Sequence, residues 1–182
     1  MKKIFTIPIL FAMIILNGCL TYHVLEYTIE YADDFNSGHF TVKYSDIRSS
    51  EKEVEKQKQD FDELIELYKG DNFLLDQVDE GIYVKDRELY EKDGKLFGSY
   101  SGIFQKLEID NNEMKTRNDE RYILLDIGPD MDIETNGKIY RSEYNALLVW
   151  PIDKKKLKIK KIVKDYDNVG FSILKYYKEW NQ

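Results

Sequence analysis

The sequence predicts an α+β fold: a largely antiparallel β-sheet of seven or eight strands, one main amphipathic helix packed on one face, and a short C-terminal helix. Three observations carry this expectation. Short runs in which apolar and polar residues alternate recur from residue 24 to residue 164, separated by turn residues. One longer stretch, residues 51–69, instead places Val54, Phe61, Leu64, Ile65 and Tyr68 on a single helical stripe, with Lys and Glu filling its other faces. Near the end, Ile173, Tyr177 and Trp180 fall at i, i+4 and i+7, the spacing of a short amphipathic helix that docks back on the sheet.

Taken in order, Leu25, Tyr27, Ile29 and Tyr31 alternate with Glu26, Thr28 and Glu30, the period of a half-buried strand. After a polar turn, Phe40, Val42 and Tyr44 alternate with Thr41, Lys43 and Ser45, so the two runs form an antiparallel hairpin. Ser50 and Glu53 have the spacing of a capping box ahead of the main helix, and Gly70 stops it. A second helical turn follows at residues 72–78. Residues 82–92 and 96–107 form the next hairpin, turning at Asp93-Gly94-Lys95. Gly98 and Gly102 share one face of its second strand, which marks a bulge or a place where another backbone or a ligand comes close. Residues 110–120 read as a polar loop, and residues 122–127 as a central strand, apolar on both faces. Asn136-Gly137 between Ile133 and Ile139 is the strongest two-residue hairpin signal in the chain. Residues 146–150 are a short apolar strand stopped by Pro151.

Ahead of this domain, Lys2 and Lys3 precede 13 almost wholly apolar residues, 4–16. That is the anatomy of an export signal. A spanning helix needs ~20 apolar residues, and this run is shorter and contains Pro8. The residues that follow, Leu16-Asn17-Gly18-Cys19, resemble the lipobox of bacterial lipoproteins, in which cleavage falls just before the cysteine. The resemblance implies a signal peptide over residues 1–18, a diacylglyceryl group on the Cys19 sulfur, and a new amino terminus open to acylation. An ordinary signal peptide with an incidental cysteine, or an uncleaved anchor, is the alternative. Cys19 is the only cysteine, so no intramolecular disulfide can form. Residues 19–23 then serve as lipidated cysteine and short tether, the four residues after Cys19 spanning at most ~14 Å, and residues 24–182 form one domain lying against the bilayer. Leu20 stands where an aspartate would resemble an inner-membrane retention signal, so in a Gram-negative cell the outer membrane is the expected location.

The order Pro129, Asn136-Gly137, Asn145, Trp150 resembles the end of the sheet in mycobacterial LppM-type lipoprotein domains, over ~20 residues. That resemblance implies lipid or glycolipid binding. Further on, Lys154, Lys155, Lys156, Lys158, Lys160, Lys161 and Lys164 interleave with Leu157, Ile159, Ile162 and Val163. Lysine in such a run protects an edge strand from aggregation. The other reading is a basic strip facing anionic headgroups, where each lysine near the surface contributes ~1 kcal/mol.

Composition excludes some functions. The chain carries a formal charge of −7, and losing Lys2 and Lys3 with the signal takes it to −9, a poor balance for nucleic-acid binding. Tyrosine is abundant at 14 residues, which suits a thin domain with a half-exposed sheet. For catalysis, only His23 and His39 are available as imidazoles, and no nucleophile–base constellation stands out. Asp130, Asp132, Glu134 and Asn136 alternate along one strand edge, but Gly137 and the missing distal Glu do not fit a calcium loop. There is no phosphate-binding glycine motif. The sequence therefore points to a non-enzymatic envelope lipoprotein, without metal or cofactor, attached to the membrane through lipid on Cys19. Two modes of action stay open. One is a lipid- or glycolipid-binding module using a pocket near Phe61, Leu64 and Tyr100 or the lysine run; the other is a structural or protein-interaction role for an exposed tyrosine-rich sheet face.

Overall fold

Strict alternation forces one set of side chains in each strand to a common face, and in the hairpin of residues 24–31 and 38–45 that set is large and apolar. The computed structural model describes residues 19–34, 37–79, 81–105, 108–109 and 112–182. The expected export signal, including Leu16, Asn17 and Gly18, lies outside the described residues. In chain order the elements are β1 (Leu20–Thr21), β2 (Val24–Tyr31), β3 (Gly38–Ser45), β4 (Arg48–Ser49), α1 (Val54–Lys69), α2 (Asn72–Asp79), β5 (Ile82–Lys92) and β6 (Lys95–Phe104). They continue with β7 (Glu108–Ile109), β8 (Asn112–Glu113), β9 (Lys115–Arg117), β10 (Glu120–Asp126), β11 (Met131–Thr135), β12 (Lys138–Arg141) and β13 (Asn145–Pro151). The last are β14 (Lys156–Val163), a 3₁₀ turn at Tyr166–Asn168, β15 (Phe171–Ser172) and α3 (Leu174–Trp180). This is an α+β architecture built on antiparallel pairing.

The strands divide into two main layers instead of the single sheet expected. Six form the larger sheet, in the order β11-β14-β2-β3-β6-β5, and four form a smaller one, β12-β13-β10-β9. In the larger sheet Leu25, Tyr27, Ile29 and Tyr31 share a buried face with Phe40, Val42, Tyr44 and Tyr100. Helices cover the end of that face at β6 and β5. At the other end the inner residues of the smaller sheet, Ile123, Leu125, Ala146, Leu148 and Trp150, join the same core. Arg121 of β10 ties the layers. Its guanidinium carbon lies 3.9 Å from the centre of the Tyr31 ring, and it donates to the carbonyls of Ile152 and Lys154.

The main helix buries Phe61, Leu64 and Tyr68 as its stripe requires, while Val54 is 61% exposed. The capping box does not form: the helix starts at Val54, and its N-cap Glu53 makes no side-chain cap bond. Ser49 acts instead, accepting the Glu51 amide at 3.0 Å and donating to Asp60. At the other end Arg87 of β5 donates to the carbonyls of Leu67 and Gly70 at 2.9 and 2.7 Å, satisfying orphan acceptors of the last turn. The helix does stop at Gly70. The α3 helix docks through Ile173 and Tyr177, both buried, with the Tyr177 hydroxyl donating to the Leu89 carbonyl at 3.0 Å, but Trp180, the third residue of the expected stripe, is 43% exposed.

Both glycines of β6 are explained by close approaches. A Cβ at Gly98 would collide with the Tyr68 hydroxyl, and one at Gly102 with the Tyr83 carbonyl, beside a bulge between Val84 and Asp86 of β5. The β5–β6 turn takes positive φ at both Asp93 and Gly94, as a type I′ hairpin demands. Part of the expected loop 110–120 is strand: β9 and β10 form a hairpin across Asn118-Asp119, again with positive φ at both positions.

Asn136-Gly137, by contrast, is a corner and not a hairpin. Strand β11 pairs with β14 in the large sheet, β12 with β13 in the small one, and neither Asn136 nor Gly137 has positive φ. Asn136 Oδ1 accepts the Trp150 indole N–H and the Lys158 amide, each at 3.0 Å, while Nδ2 donates to the Lys156 carbonyl at 2.9 Å. Gly137 is glycine because a Cβ there would run into the Trp150 ring.

Asn136→Ala strands the indole N–H of the fully buried Trp150, while the exposed Lys158 amide turns to water, and is expected to cost about 1–2 kcal/mol, read as a lower urea midpoint at unchanged slope. The Tyr68 hydroxyl is buried and has no hydrogen-bond partner among the described residues. Tyr68→Phe is therefore expected to raise stability by about 1 kcal/mol, and a midpoint that falls instead would show that the hydroxyl is bonded in solution.

Candidate functional site

The residues expected to matter lie at different places on the fold, and the first of them, Cys19, begins the described chain. Leu20 and Thr21 do not hang free as a tether. They pair with Ser49 and Arg48 of β4, which also pairs with β15 to close a three-stranded sheet. The Cys19 thiol donates to Glu51 Oε1 at 2.6 Å, and in the unmodified chain this bond to a carboxylate holds the thiol above its ordinary range. A thiol kept protonated is a weak nucleophile.

Arg48 fixes this end of the molecule. It meets Asp46 through two hydrogen bonds of 2.8 and 3.0 Å, lies over the Tyr166 ring, and donates to the carbonyls of Tyr166 and Val169. Lys95 completes the cluster 3.0 Å from Asp46. His23 stacks on Tyr166, its ring centre 5.2 Å away. The second histidine, His39, lies on the exposed face of β3 between Glu30 and Ile103 in register.

The lysine run does not form an edge strand. Strand β14 sits between β11 and β2, so both of its edges are paired. Lys156, Lys158 and Lys160 point to solvent, whereas Lys161 is turned inward and only 5% exposed. Acids meet most of the outward charges: Lys155 pairs with Asp33, Lys156 with Glu30 at 3.3 Å and Lys160 with Glu134 at 3.3 Å. Lys154 donates to the Asn136 carbonyl, and Lys164 sits 3.3 Å from Asp132. Of the six candidate lysines, Lys155, Lys156 and Lys160 are thus salt-bridged, Lys154 is held by a carbonyl, Lys158 has no ion pair among the described residues, and Lys161 is turned inward. The acids of β11 are engaged in the same way, Asp132 also meeting Arg141 at 3.0 Å. Among the described residues no group of three or more His, Cys, Asp or Glu is placed to hold a metal ion, and no helix is long and apolar enough to cross a membrane.

Phe61, Leu64 and Tyr100, expected to border a pocket, are all buried in packed core. The Tyr100 ring is met by Phe40 and Phe73, with ring centres 5.9 Å away in each case. Tyr27, Tyr31, Tyr44 and Tyr100 of the large sheet also point inward, whereas Tyr83 and Tyr90 of β5 lie on its outer face. That outer face is polar at β2 and β3, with Glu26, Thr28, Glu30, Thr41 and Lys43 in adjoining registers, and carries Tyr83, Ile103, Tyr90 and Phe97 at β5 and β6.

The apolar face open to solvent belongs to the smaller sheet. Tyr140, Leu147 and Leu124 lie side by side across β12, β13 and β10, with Tyr140 57% and Leu124 50% exposed. The next row outward reads Lys138, Val149, Tyr122, Lys115 across all four strands. Two shallow depressions flank Val149. One of about 350 Å³ involves Arg117, Tyr122 and Leu147, and the other, about 270 Å³, involves Gly137, Lys138 and Trp150; Glu120 borders both. Apolar residues on both faces of residues 122–127 predict a central strand, and β10 is one, paired with β13 and β9 within its sheet, although only the face of Ile123 and Leu125 is covered.

Burial pushes the Asp46 carboxyl up, but the hydrogen bonds from Arg48 and Lys95 outweigh it and hold the group below the usual carboxylate range. A depressed carboxyl contributes stability above its unfolded value of about 3.9 and loses it as pH falls through the lower folded value. Asp46→Asn, which tolerates the positive φ at this position, is expected to cost about 2 kcal/mol at pH 7 and much less at pH 2. Urea unfolding at both pH values checks this, and a gap independent of pH would rule out the charge as its origin.

Comparison with known protein families, with curated proteins and with solved structures finds no match to this chain.

Proposed function

We propose that the chain is a non-enzymatic lipoprotein of the bacterial cell envelope, anchored through Cys19, that acts by presenting the outer face of the β12-β13-β10-β9 sheet to a protein partner. The observation that carries this reading is the row Tyr140, Leu147, Leu124, large apolar side chains set together on a solvent-facing sheet. Contiguous exposed apolar area of this kind marks interaction sites in soluble domains. The anchor rests on the export-signal anatomy and the Leu16-Asn17-Gly18-Cys19 resemblance. It fits the pairing of Leu20 with Ser49, which leaves no slack between Cys19 and the domain. In a Gram-negative cell the location proposed is the outer membrane.

The lipid or glycolipid reading draws its support from another place: an open depression of about 350 Å³ on the large sheet, lined by Lys158 and Lys160 together with Glu26, Glu134 and Asn136. Two acids beside two lysines make it a weak match for an anionic headgroup.

Metabolic labelling with a palmitate analogue is expected to mark the wild-type chain and not Cys19→Ser, which should leave the membrane fraction; label retained by the variant would remove the anchor. Benzoylphenylalanine in place of Leu124 in living cells is expected to crosslink a protein under irradiation, whereas the same probe in place of Thr41, on the polar face, should not. Absence of any protein crosslink from Leu124, with a lipid mass retained in native mass spectrometry, would instead favour the lipid reading.

A further inference from the structure

Cations rim the apolar face. On β14, Lys156 and Lys160 meet acids, and Arg141 at the end of β12 meets Asp132. Lys115, Lys138 and Arg117, like Lys158 on β14 and Lys43 on β3, have no ion-pair partner among the described residues, even though Glu120 lies opposite Arg117 in register. What sets the first three apart is that, in a chain of net charge −7, they border one exposed apolar surface.

Their spacing is informative. Lys138, Val149, Tyr122 and Lys115 are register partners on four adjacent strands, so they form one line across the sheet with a cation at each end. Three inter-strand steps of ~4.8 Å separate the ends by roughly 14 Å. An extended chain advances ~3.4 Å per residue and turns alternate side chains to one side. Residues i and i+4 of such a chain are therefore also roughly 14 Å apart, with i+2 facing the same way between them.

We infer that this line receives an extended segment of a partner protein with acidic residues at i and i+4 and an apolar residue at i+2, the acids meeting Lys138 and Lys115 and the apolar side chain settling on Tyr122, beside Val149, which is only 7% exposed. The inference rests on the docking reading above and specifies its occupant. Size favours a segment over a globular partner. The face measures roughly 400 Å² from strand spacing and length, about half of what each side of a standard interface contributes. A second copy docked through the same face would bring two cationic rims together. A bilayer held by Cys19 is remote from it. Strand β10 begins beside Tyr31, where Arg121 stacks, and His23 marks the other end of β2, roughly 24 Å away by strand rise.

The test uses the full chain in detergent and a fluorescein-labelled peptide with two aspartates four residues apart, a leucine midway and serines elsewhere. Anisotropy is expected to report saturable binding that weakens as salt rises, and that falls roughly tenfold in the double variant Lys115→Glu, Lys138→Glu. Lys156→Glu, on the large sheet, should leave the affinity unchanged, and a peptide with lysines for the aspartates should not bind. No binding, equal binding of both peptides, or indifference to the double variant overturns the inference. So does displacement of the peptide by phosphatidylglycerol micelles more readily than by unlabelled peptide, which assigns the face to lipid. Peptide failure with a retained Leu124 crosslink overturns the acidic-segment inference and leaves the docking reading standing; loss of the crosslink as well overturns both.

Discussion

The fold turns on one amide side chain. Asn136 stands where the backbone leaves the large sheet for the small one, and it serves both: its oxygen accepts from the Trp150 indole and the Lys158 amide, and its nitrogen donates to the Lys156 carbonyl. Two layers that share a core must be joined by strands that change sheets at a corner, and the polar groups exposed there have to be satisfied inside the protein. A side chain with one carbonyl and two N–H groups can do this where aspartate or alanine cannot. Arg121 makes the second tie on the opposite strand, placing a planar cation on an aromatic ring between the layers.

Much of this architecture was legible in the chain, and the failures have physical causes. Alternation located the β2–β3 and β5–β6 hairpins because one covered face and one wet face leave an unambiguous period of two. The main helix was equally clear, but its start was not. Ser49, one residue before the expected cap, was already turned toward Asp60 and the Glu51 amide, and local spacing does not reveal which of two adjacent serines the tertiary structure will orient inward. Asn136-Gly137 matched the hairpin signal in composition, yet that signal reports tolerance of positive φ. Here the glycine is selected for the room it leaves Trp150.

The lysine run failed as an edge strand for a related reason. Lysines at every second position look the same on an edge as on an inner strand with one wet face. What separates the two cases is the neighbouring strands, and Glu26, Glu30 and Glu134 come from remote stretches of sequence. The apolar outer face of the smaller sheet escaped for the converse reason. Tyr122 and Leu124 have the composition of core residues, and only the topology leaves their side uncovered. The two wet faces consequently differ in kind. On the large sheet β14 and its neighbours pair Lys156 and Lys160 with acids, while on the small sheet Lys115 and Lys138 stand beside apolar surface without such partners among the described residues.

The pairing of β1 has a mechanical consequence. A load applied at Cys19 is not taken up by extending a slack linker. It passes through the Leu20–Ser49 and Thr21–Arg48 pairs into β4, and from β4 through the Arg48 guanidinium to the carbonyls of Tyr166 and Val169. Cys19 and the stretch from Tyr166 to Val169 are thereby clamped into one block. Were Cys19 anchored as proposed, tilting the anchor would apply a torque to the whole domain, and its distal sheet would swing with the surface beneath it instead of wobbling independently.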